Sequence, residues 1–457
     1  MSDAQALLQR AVALRDLQDT AGALEAILAA AKLAPDDANV ALGVAQVSFE
    51  AGQPAAGLYA RAAELSPARI DLQRSRATAL AAERRQDEGE ALLEQVLGEN
   101  PAWIDGHRCL CGMRATAGDG DFARSFAAAI ARDPSNFGLR MAWFHVLATA
   151  KDWDAARHVI ADAEAALGER QASLLGKLFI ASESGEAASD PALFDKVEHV
   201  QDVGLDLARV RHFLRGGQIE RARDVCVRHM GTPAMRAFWP YLSFAWRLLG
   251  DARAEWLDGG MRDVRSFDLD FTVAELHELA GTLRRLHTMQ QPWHEQSVRG
   301  GTQTERPLLL RIDPVIANAR AKIETAVRLY IDDLPHADPS HPLLAAPRGR
   351  FLFAGSWSVR LRPGGFHAVH THPMGWISSA LYVAVPDAAK LGTPPAGHLQ
   401  FGAAPLELGL AVKPYGEVVP KPGKLALFPS TMWHGTVPFD DGERLTIAFD
   451  VIPNMKA

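Results

Sequence analysis

The sequence predicts a multidomain α + β protein in which an N-terminal α-helical solenoid precedes a C-terminal jelly roll (double-stranded β-helix). Three observations predict this order. Apolar residues recur at helical spacing through residues 1 to about 260, a segment rich in Ala, Leu, Arg and Glu. Prolines divide the first part of that segment at nearly constant intervals. After about residue 345 the apolar period changes to two, which is typical of short, half-buried strands.

The regular prolines indicate repeated helix pairs. They stand 32, 34 and 33 residues apart and follow similar phrases such as AKLAP and IARDP; they are Pro35, Pro67, Pro101 and Pro134. Because proline disfavours a continuing helix, each is predicted to close the second helix of a helix–turn–helix pair. Small residues stand twelve positions before the first three prolines, whereas Phe122 occupies that place in the fourth unit.

A period of about 34 residues with helix–turn–helix units resembles the tetratricopeptide repeat. That resemblance implies a surface that binds a peptide or protein. A generic α-helical solenoid or bundle is the alternative. Further helices are predicted at 151–167, 216–230 and 236–257, with the last segment closing the array.

The change in pattern sets the predicted domains. Residues 1–260 form the helical repeat domain, and residues 261–457 form a second domain with a helical lead-in (261–345) and a jelly-roll core (346–457). The lead-in contains amphipathic helices at 271–289 and 314–334 and a Gly/Thr loop at 297–307, interpreted as a turn or a lid. The predicted strands are FLFAG, SWSVRLRP, HAVHTHP, ISSALYVAVP, HLQFGA, KLALFPS and ERLTIAFDVIP.

Composition and charge narrow the function classes. The chain has 457 residues, of which 48% are hydrophobic and 23% charged, so it holds enough apolar side chain for sizeable cores. Its formal net charge of −7 predicts no binding to nucleic acid or to membranes. The three cysteines are too few for a disulfide scaffold, and Cys109 and Cys111, which lack the spacing of a metal finger, are interpreted as structural. With no secretory leader and no apolar run approaching about 18 residues, we expect a soluble cytoplasmic protein.

Four histidines cluster in the predicted jelly roll. His367, His370 and His372 lie in GGFHAVHTHP, and His434 follows in FPSTMWHGTVPF. Residues two apart on a strand point to the same face, so His370 and His372 are able to converge on one ion. His434 is placed at the end of the strand LALFPS, where a jelly roll can bring it back beside them. We therefore predict a metal site of His370, His372 and His434, with His367 behind it or exposed.

This pattern resembles the iron(II)- and 2-oxoglutarate-dependent oxygenases. That family has His-x-Asp/Glu on one strand, a distal His on a later strand, and an Arg or Lys further along the chain. Here His434 stands 62 residues after His372, and Arg444 stands ten residues after His434. The phrases QSVRGGTQT, GSWSVRL and KPGKLALFPSTMWHG are similar to a bacterial group in which a tetratricopeptide array precedes an oxygenase domain.

The resemblance implies three small molecules: iron(II), the cosubstrate 2-oxoglutarate, and dioxygen. It assigns the metal to the three histidines and the distal carboxylate of 2-oxoglutarate to Arg444, whose guanidinium offers a planar bidentate fork. On the strand that Arg444 begins, Thr446 shares its face, so the hydroxyl is able to add a hydrogen bond. Tyr382 in SALYVAV is similar to the position at which related enzymes place a cosubstrate-binding tyrosine.

His372 departs from the family pattern, which has a carboxylate at this place. Two interpretations stay open. Either His372 is the third ligand, which leaves the iron more positive than a carboxylate would, or only His370 and His434 bind and water fills the third position. Trp357, Trp376 and Trp433 are interpreted as core or pocket wall rather than substrate clamps.

The leading functional hypothesis is a 2-oxoglutarate-dependent dioxygenase that hydroxylates a peptide or protein side chain recruited by the helical repeats. Two other classes stay open. One is a tetratricopeptide scaffold whose jelly roll is catalytically inactive. The other is a three-histidine, cupin-type metal enzyme that does not use 2-oxoglutarate.

Overall fold

The structure is a computed structural model and describes residues 2–305 and 307–454. The described chain is mainly helical up to residue 258. Three further α-helices lie between strands in the sequence. None of the described helices combines the length and apolar character that crossing a membrane needs. The α-helices are α1 (Asp3–Asp16), α2 (Thr20–Leu33), α3 (Ala38–Glu50), α4 (Ala56–Leu65), α5 (Asp71–Ala82), α6 (Gln86–Glu99), α7 (Ile104–Thr116), α8 (Arg124–Arg132), α9 (Phe137–Thr149), α10 (Trp153–Leu167), α11 (Gln171–Glu183), α12 (Val203–Arg215), α13 (Ile219–Val227), α14 (Met235–Leu249), α15 (Arg253–Asp258), α16 (Val273–Leu286), α17 (Pro314–Asp332) and α18 (Ala388–Leu391). Short 3-10 helices lie at Asp195–Val197, Leu308–Leu310 and Leu406–Leu408.

The predicted helix pairs are confirmed. The helices α2, α4, α6 and α8 each end two residues before the proline that was predicted to close them. The small residue at the twelfth position before the proline has a packing reason at Gly89 on α6. A Cβ there would stand 2.9 Å from the Ala77 carbonyl oxygen of α5 and 2.7 Å from Met113 Cε. Only glycine permits this close approach of the two helices.

The strands form two antiparallel sheets. The larger has the order β1-β7-β4-β9-β3-β2 and the smaller the order β6-β5-β8. Together with the preceding helices they confirm the predicted solenoid followed by a double-sheet jelly roll. The strands are β1 (Arg265–Asp268), β2 (Val298–Gln303), β3 (Phe351–His367), β4 (Ile377–Ala384), β5 (Leu399–Phe401), β6 (Gly416–Val418), β7 (Lys424–Pro429), β8 (His434–Thr436) and β9 (Arg444–Pro453).

Alternate side chains of β9 point to opposite faces of the larger sheet, one facing the apolar core and the other a cavity. Leu445, Ile447, Phe449 and Val451 are fully buried and pack with α16 and α17 against one face of the larger sheet. The residues between them, from Arg444 to Asp450, line a cavity on the opposite face. The period of two therefore sends apolar side chains to the helices and polar ones to the space between the sheets.

Three strand predictions were wrong in detail. FLFAG and SWSVRLRP are one strand, β3, with a register shift between Phe353 and Gly355. HAVHTHP is not a strand: β3 ends at His367, and His370 forms only an isolated bridge with His434. KLALFPS does not reach His434, because β7 ends at Pro429 and a turn precedes β8.

The predicted Gly/Thr loop was also wrong, since most of it is the edge strand β2. It pairs with β3 through a register shift between Arg299 and Gly301. Gly300 has φ +68°, and a Cβ at Gly301 would collide with the Arg360 carbonyl oxygen. The two glycines, which looked like loop residues, are what allows β2 to approach β3 at the bulge. Arg306, within the predicted loop, lies outside the described residues.

The helical half packs directly on the jelly roll. The Gln18 side chain donates to the Phe353 carbonyl oxygen and accepts from the Phe353 N–H, at 2.8 and 3.0 Å. At the other end of the array the Trp433 ring stacks on Phe244 of α14, and its indole N–H donates to the Pro240 carbonyl oxygen at 2.8 Å. These contacts join both ends of the helical array to the jelly roll.

Candidate functional site

Three histidine side chains meet between the two sheets. Potential ligand atoms of His370, His372 and His434 all lie within 4.8 Å of one another. Backbone hydrogen bonds create this convergence: His370 and His434 exchange two N–H···O bonds of 2.9 and 3.0 Å, and the His372 N–H donates to the Ser430 carbonyl oxygen at 2.9 Å. The turn after β7 thus brings two sequence-distant segments together.

The hydrogen bonds of His370 and His434 fix their tautomers. His370 Nδ1 lies 2.8 Å from the Ala368 carbonyl oxygen, and His434 Nδ1 lies 3.0 Å from the Met432 carbonyl oxygen. Because a carbonyl oxygen only accepts, each Nδ1 carries the proton and each Nε2 keeps a free lone pair. Among the described residues neither Nε2 has a hydrogen-bond partner. Both rings could therefore bind a metal ion through Nε2.

Burial keeps these two imidazoles neutral. It holds the pKa of His370 and of His434 well below the usual value, and the neighbouring histidines act in the same direction. A neutral imidazole is the form that binds a metal. Burial, rather than a local negative charge, therefore prepares the ligand nitrogens.

His372 is held differently. Its Nδ1 donates to Asp450 Oδ2 at 2.7 Å, which again leaves Nε2 as the lone-pair nitrogen. The ring of Trp357 stacks on it with an interplanar angle of 3° and centroids 5.7 Å apart. Asp450 in turn accepts from the Ser378 hydroxyl at 2.6 Å. The structure thus supports the geometry of a third nitrogen ligand, with a carboxylate behind it.

A buried cation lies deeper in the same cavity. Arg444 is 2% exposed, and its Nε and Nη1 have no hydrogen-bond partner among the described residues. The ring of Tyr382 lies 5.0 Å from the guanidinium carbon, and its buried hydroxyl interacts with Arg444 without forming a hydrogen bond of regular geometry. Burial lowers the pKa of Arg444 and raises that of Tyr382. Thr446 lines the cavity beside Arg444 and pairs with Tyr382 across β4 and β9.

The cavity that the three histidines, Arg444 and Thr446 line measures about 450 Å³. Both sheets and the segment between α16 and β2 enclose it, so that the three histidines and Arg444 face one space. Buried hydrogen-bond donors without an acceptor cost free energy. A bound anion would provide a guanidinium with the strongest hydrogen bonds. The arrangement is able to hold a metal ion at one end and a carboxylate at the other.

His367 and the three candidate tryptophans lie outside the three-histidine cluster. His367 lines the cavity outside the three-histidine cluster and lies 3.0 Å from the Ser297 hydroxyl. Trp357 is a cavity wall, whereas Trp376 and Trp433 are buried in apolar cores.

Sequence reasoning missed several members of the site. Asp450 stood on the predicted face of β9, but nothing local in the sequence indicated its bond to His372. Ser378 and Ser430, which share a hydrogen bond of 2.9 Å behind Asp450, carried no signal. Trp293 was missed as well, and it lines both the metal cavity and a second cavity beside the repeats.

Partly buried histidines with lowered pKa values predict an acid-sensitive stability of the metal-free protein. Burial lowers the pKa of His367 to about 3 and of His287 to about 4. Between those values and about 6.5 the unfolded state binds more protons than the folded state, so stability falls as pH falls. Each such histidine contributes at most about 1.4 kcal/mol per pH unit in this window.

Urea denaturation of the metal-free protein between about pH 7 and pH 5 measures this slope. His287→Gln is expected to flatten it, because the glutamine does not titrate. His336→Gln, at an exposed position, is the matched control and should leave it unchanged. Equal slopes for wild type and His287→Gln would contradict the prediction.

Part of the β-rich region matches a known protein family. Residues 355–450 match the family model described as "Putative 2OG-Fe(II) oxygenase", a range that holds the three histidines, Tyr382, Arg444 and Asp450. A comparison with the curated proteins gave no match.

Solved structures similar to parts of the chain include two hydroxylases and a repeat protein. The viral collagen prolyl hydroxylase from Paramecium bursaria Chlorella virus-1, in complex with 2OG, is 15% identical, with a TM-score of 0.29, over 42% of this chain and 97% of that chain. A prolyl-4-hydroxylase from Pseudomonas putida is 18% identical, with a TM-score of 0.30, over 42% and 93%. A tetratricopeptide repeat protein from Parabacteroides merdae is 16% identical, with a TM-score of 0.33, over 53% and 98%.

Proposed function

We propose, on the premise that the C-terminal part of this chain is a 2OG-Fe(II) oxygenase domain, that His370, His372 and His434 bind the iron(II) and Arg444 binds 2-oxoglutarate. The reaction we propose is hydroxylation of a peptide or protein side chain. The observation that carries the proposal is the unpartnered Arg444 guanidinium in the cavity on which the three lone-pair nitrogens converge.

The residues fit both groups. Three imidazole nitrogens on one side of an ion suit iron(II) and leave its other positions open. Arg444 Nε and Nη1 supply the donors that a buried carboxylate requires. The Tyr382 ring packs against the guanidinium, and Thr446 lines the same cavity as Arg444. Iron(II) together with 2-oxoglutarate supplies the oxidising power to hydroxylate a C–H bond with dioxygen.

The chain itself performs three tasks in this reaction. The Nδ1 hydrogen bonds of the histidines hold the metal-binding nitrogens in place. Arg444 anchors the cosubstrate at a fixed depth from them. The Trp357 and Phe428 rings line the cavity and keep water from the reacting atoms.

The substrate is proposed to lie in a second cavity between the repeats and the jelly roll, which we call the groove. It measures about 950 Å³ and has walls from both halves, including Phe122 and Ala150 on the repeat side and Phe366 and Val437 on the other. Trp293, His367 and Thr436 line both the groove and the metal cavity. The groove is therefore contiguous with the place where a substrate must react.

Part of the repeat surface is covered by this chain itself. The N–H groups of Gln290 and Gln291 donate to the Thr116 carbonyl oxygen at the end of α7. Trp293 and His294 pack near Phe122, whose ring centroid lies 5.1 Å from that of His294. The groove opens directly beside this covered part. A polypeptide suits it because repeat surfaces typically bind polypeptides.

Filling the groove is expected to abolish hydroxylation of the polypeptide substrate without disturbing the metal site. Ala150→Arg places a long cationic side chain in the groove, away from the histidines. Ala161→Arg, the same change on an exposed position of α10, is the matched control. The full chain is incubated with iron(II), 2-oxoglutarate and a peptide array, and peptides that gain one oxygen atom are identified by mass.

Peptides oxidised by wild type should stay unoxidised with Ala150→Arg and be oxidised with Ala161→Arg. Succinate formed without peptide should be equal in all three proteins. Oxidation of the same peptides by Ala150→Arg would place the substrate elsewhere. Wild type that forms no succinate at all would favour the inactive scaffold or an enzyme that does not use 2-oxoglutarate.

A further inference from the structure

We propose that Asp450 is a positioning residue that gives the third ligand, His372, the negative charge that a carboxylate ligand would supply. This inference rests on the proposed metal site and concerns how its charge is balanced. The group that matches a carboxylate ligand in charge is the pair of His372 and Asp450.

The three histidines differ in what their Nδ1 atoms contact. Those of His370 and His434 donate to neutral backbone carbonyl oxygens, whereas that of His372 donates to the Asp450 carboxylate at 2.7 Å. The carboxylate thus stands behind the one histidine that occupies the family's carboxylate position. This asymmetry is the observation that singles out Asp450.

Among the described residues no Arg or Lys side chain pairs with Asp450. Its side chain is 14% exposed, and the one titratable side chain that it contacts is the His372 imidazole, which is neutral when Nε2 keeps its lone pair. Its second oxygen accepts from the Ser378 hydroxyl, a neutral donor. A largely buried carboxylate without a cation is costly, so the fold bears this group at a cost. A divalent ion on the opposite nitrogen of His372 supplies the missing positive charge.

The net charge of the metal site also indicates a role for Asp450. Two histidines and a carboxylate cancel one of the two charges of iron(II), whereas three neutral imidazoles cancel none. A carboxylate hydrogen-bonded to a metal-binding histidine makes that imidazole a stronger donor. With Asp450 included, the site carries the same net charge as the common ligand set. The negative charge lies one residue further from the metal.

The surroundings hold this pair in one geometry. Trp357 stacks flat on the His372 ring, and Ser378 and Ser430 form a hydrogen-bonded pair behind Asp450. Gly375 closes the turn against them: a Cβ there would stand 2.6 Å from Ser430 Oγ and 3.3 Å from Asp450 Cβ. These contacts restrict the movement of the carboxylate and of the imidazole.

The test is the affinity of the full-length, metal-free protein for manganese(II), titrated without 2-oxoglutarate. Asp450→Asn keeps the shape and an acceptor for His372 but removes the charge. We expect it to weaken binding about 10- to 100-fold. Asp440→Asn removes the same charge from an exposed position and should bind like wild type. Asp450→Ser replaces the asparagine variant if that protein does not fold.

A second experiment distinguishes whether Asp450 contributes its charge to the metal site or only maintains the local structure. In His372→Asp the carboxylate is placed at the ligand position itself, so adding Asp450→Asn to that variant should cost at most about twofold. An equal cost of Asp450→Asn in both backgrounds would overturn the proposal, as would wild-type affinity in Asp450→Asn alone. Wild type that binds no manganese(II) would instead overturn the proposed metal site, and this inference with it.

Discussion

His434→Ala is expected to abolish binding of iron(II) or of manganese(II) as its surrogate. His434 is 6% exposed and contributes one of three converging nitrogens, and alanine leaves no donor in its place. His370→Ala should have the same effect, because the two rings are held by the same pair of backbone hydrogen bonds. The loss is measured as metal content and as titrated affinity on protein whose folding is verified by circular dichroism.

His367→Ala is the matched control for this prediction. Its ring is close to that of His370, with centroids 6.0 Å apart, but lies outside the three-histidine cluster. It should bind metal like wild type. His372→Ala then decides between the two interpretations of the third position: unchanged affinity would mean that His370 and His434 bind with water. Equal metal content in wild type and His434→Ala would show that the three histidines do not form the metal site.

Arg444→Ala is expected to remove nearly all binding of 2-oxoglutarate and to leave metal binding intact. Without the guanidinium, the distal carboxylate would be buried unpaired, and breaking such a pair typically costs about 3–5 kcal/mol. This corresponds to a loss of about two to four orders of magnitude in cosubstrate affinity. Arg444→Lys should retain part of the affinity, since it keeps the charge but loses the bidentate fork. The measurement is a 2-oxoglutarate titration of the anaerobic iron(II) protein.

A second readout of the same residue needs no cosubstrate. Arg444 Nε and Nη1 are buried without partners, which destabilises the folded protein when no anion is bound. Arg444→Met should therefore leave the thermal stability of the metal-free protein unchanged or raise it. A clear loss of stability would show that the guanidinium serves the fold. Wild-type affinity for 2-oxoglutarate in Arg444→Ala would move the anchor to another residue.

The order of the two folds could be predicted from the sequence because both signals are local. A helix buries one stripe and a strand one face, so the apolar period reports which element forms before any tertiary contact is known. The prolines marked the ends of α2, α4, α6 and α8 for the same reason, because proline disfavours helical backbone in the residue just before it. The alternation of β9 likewise placed Arg444 and Thr446 on one face.

Glycine-rich and turn segments could not be predicted in this way. Gly300 and Gly301 are typical of a loop in isolation, yet they form the bulge of β2 because the β3 backbone lies against them. His370 and His372 were expected on a regular strand. Their positions come instead from bonds to His434 and Ser430, which belong to another part of the chain.

The sequence by itself determined which chemical groups the site contains: imidazoles at His370, His372 and His434, and a guanidinium at Arg444. Only the tertiary structure decided how they work together. It set the free nitrogen of each ring through Ala368, Met432 and Asp450, and it left Arg444 Nε and Nη1 buried without a hydrogen-bond partner among the described residues. The reason is physical: residue type fixes what a group can bind, whereas its tautomer, its burial and its partner depend on segments that only folding brings beside it.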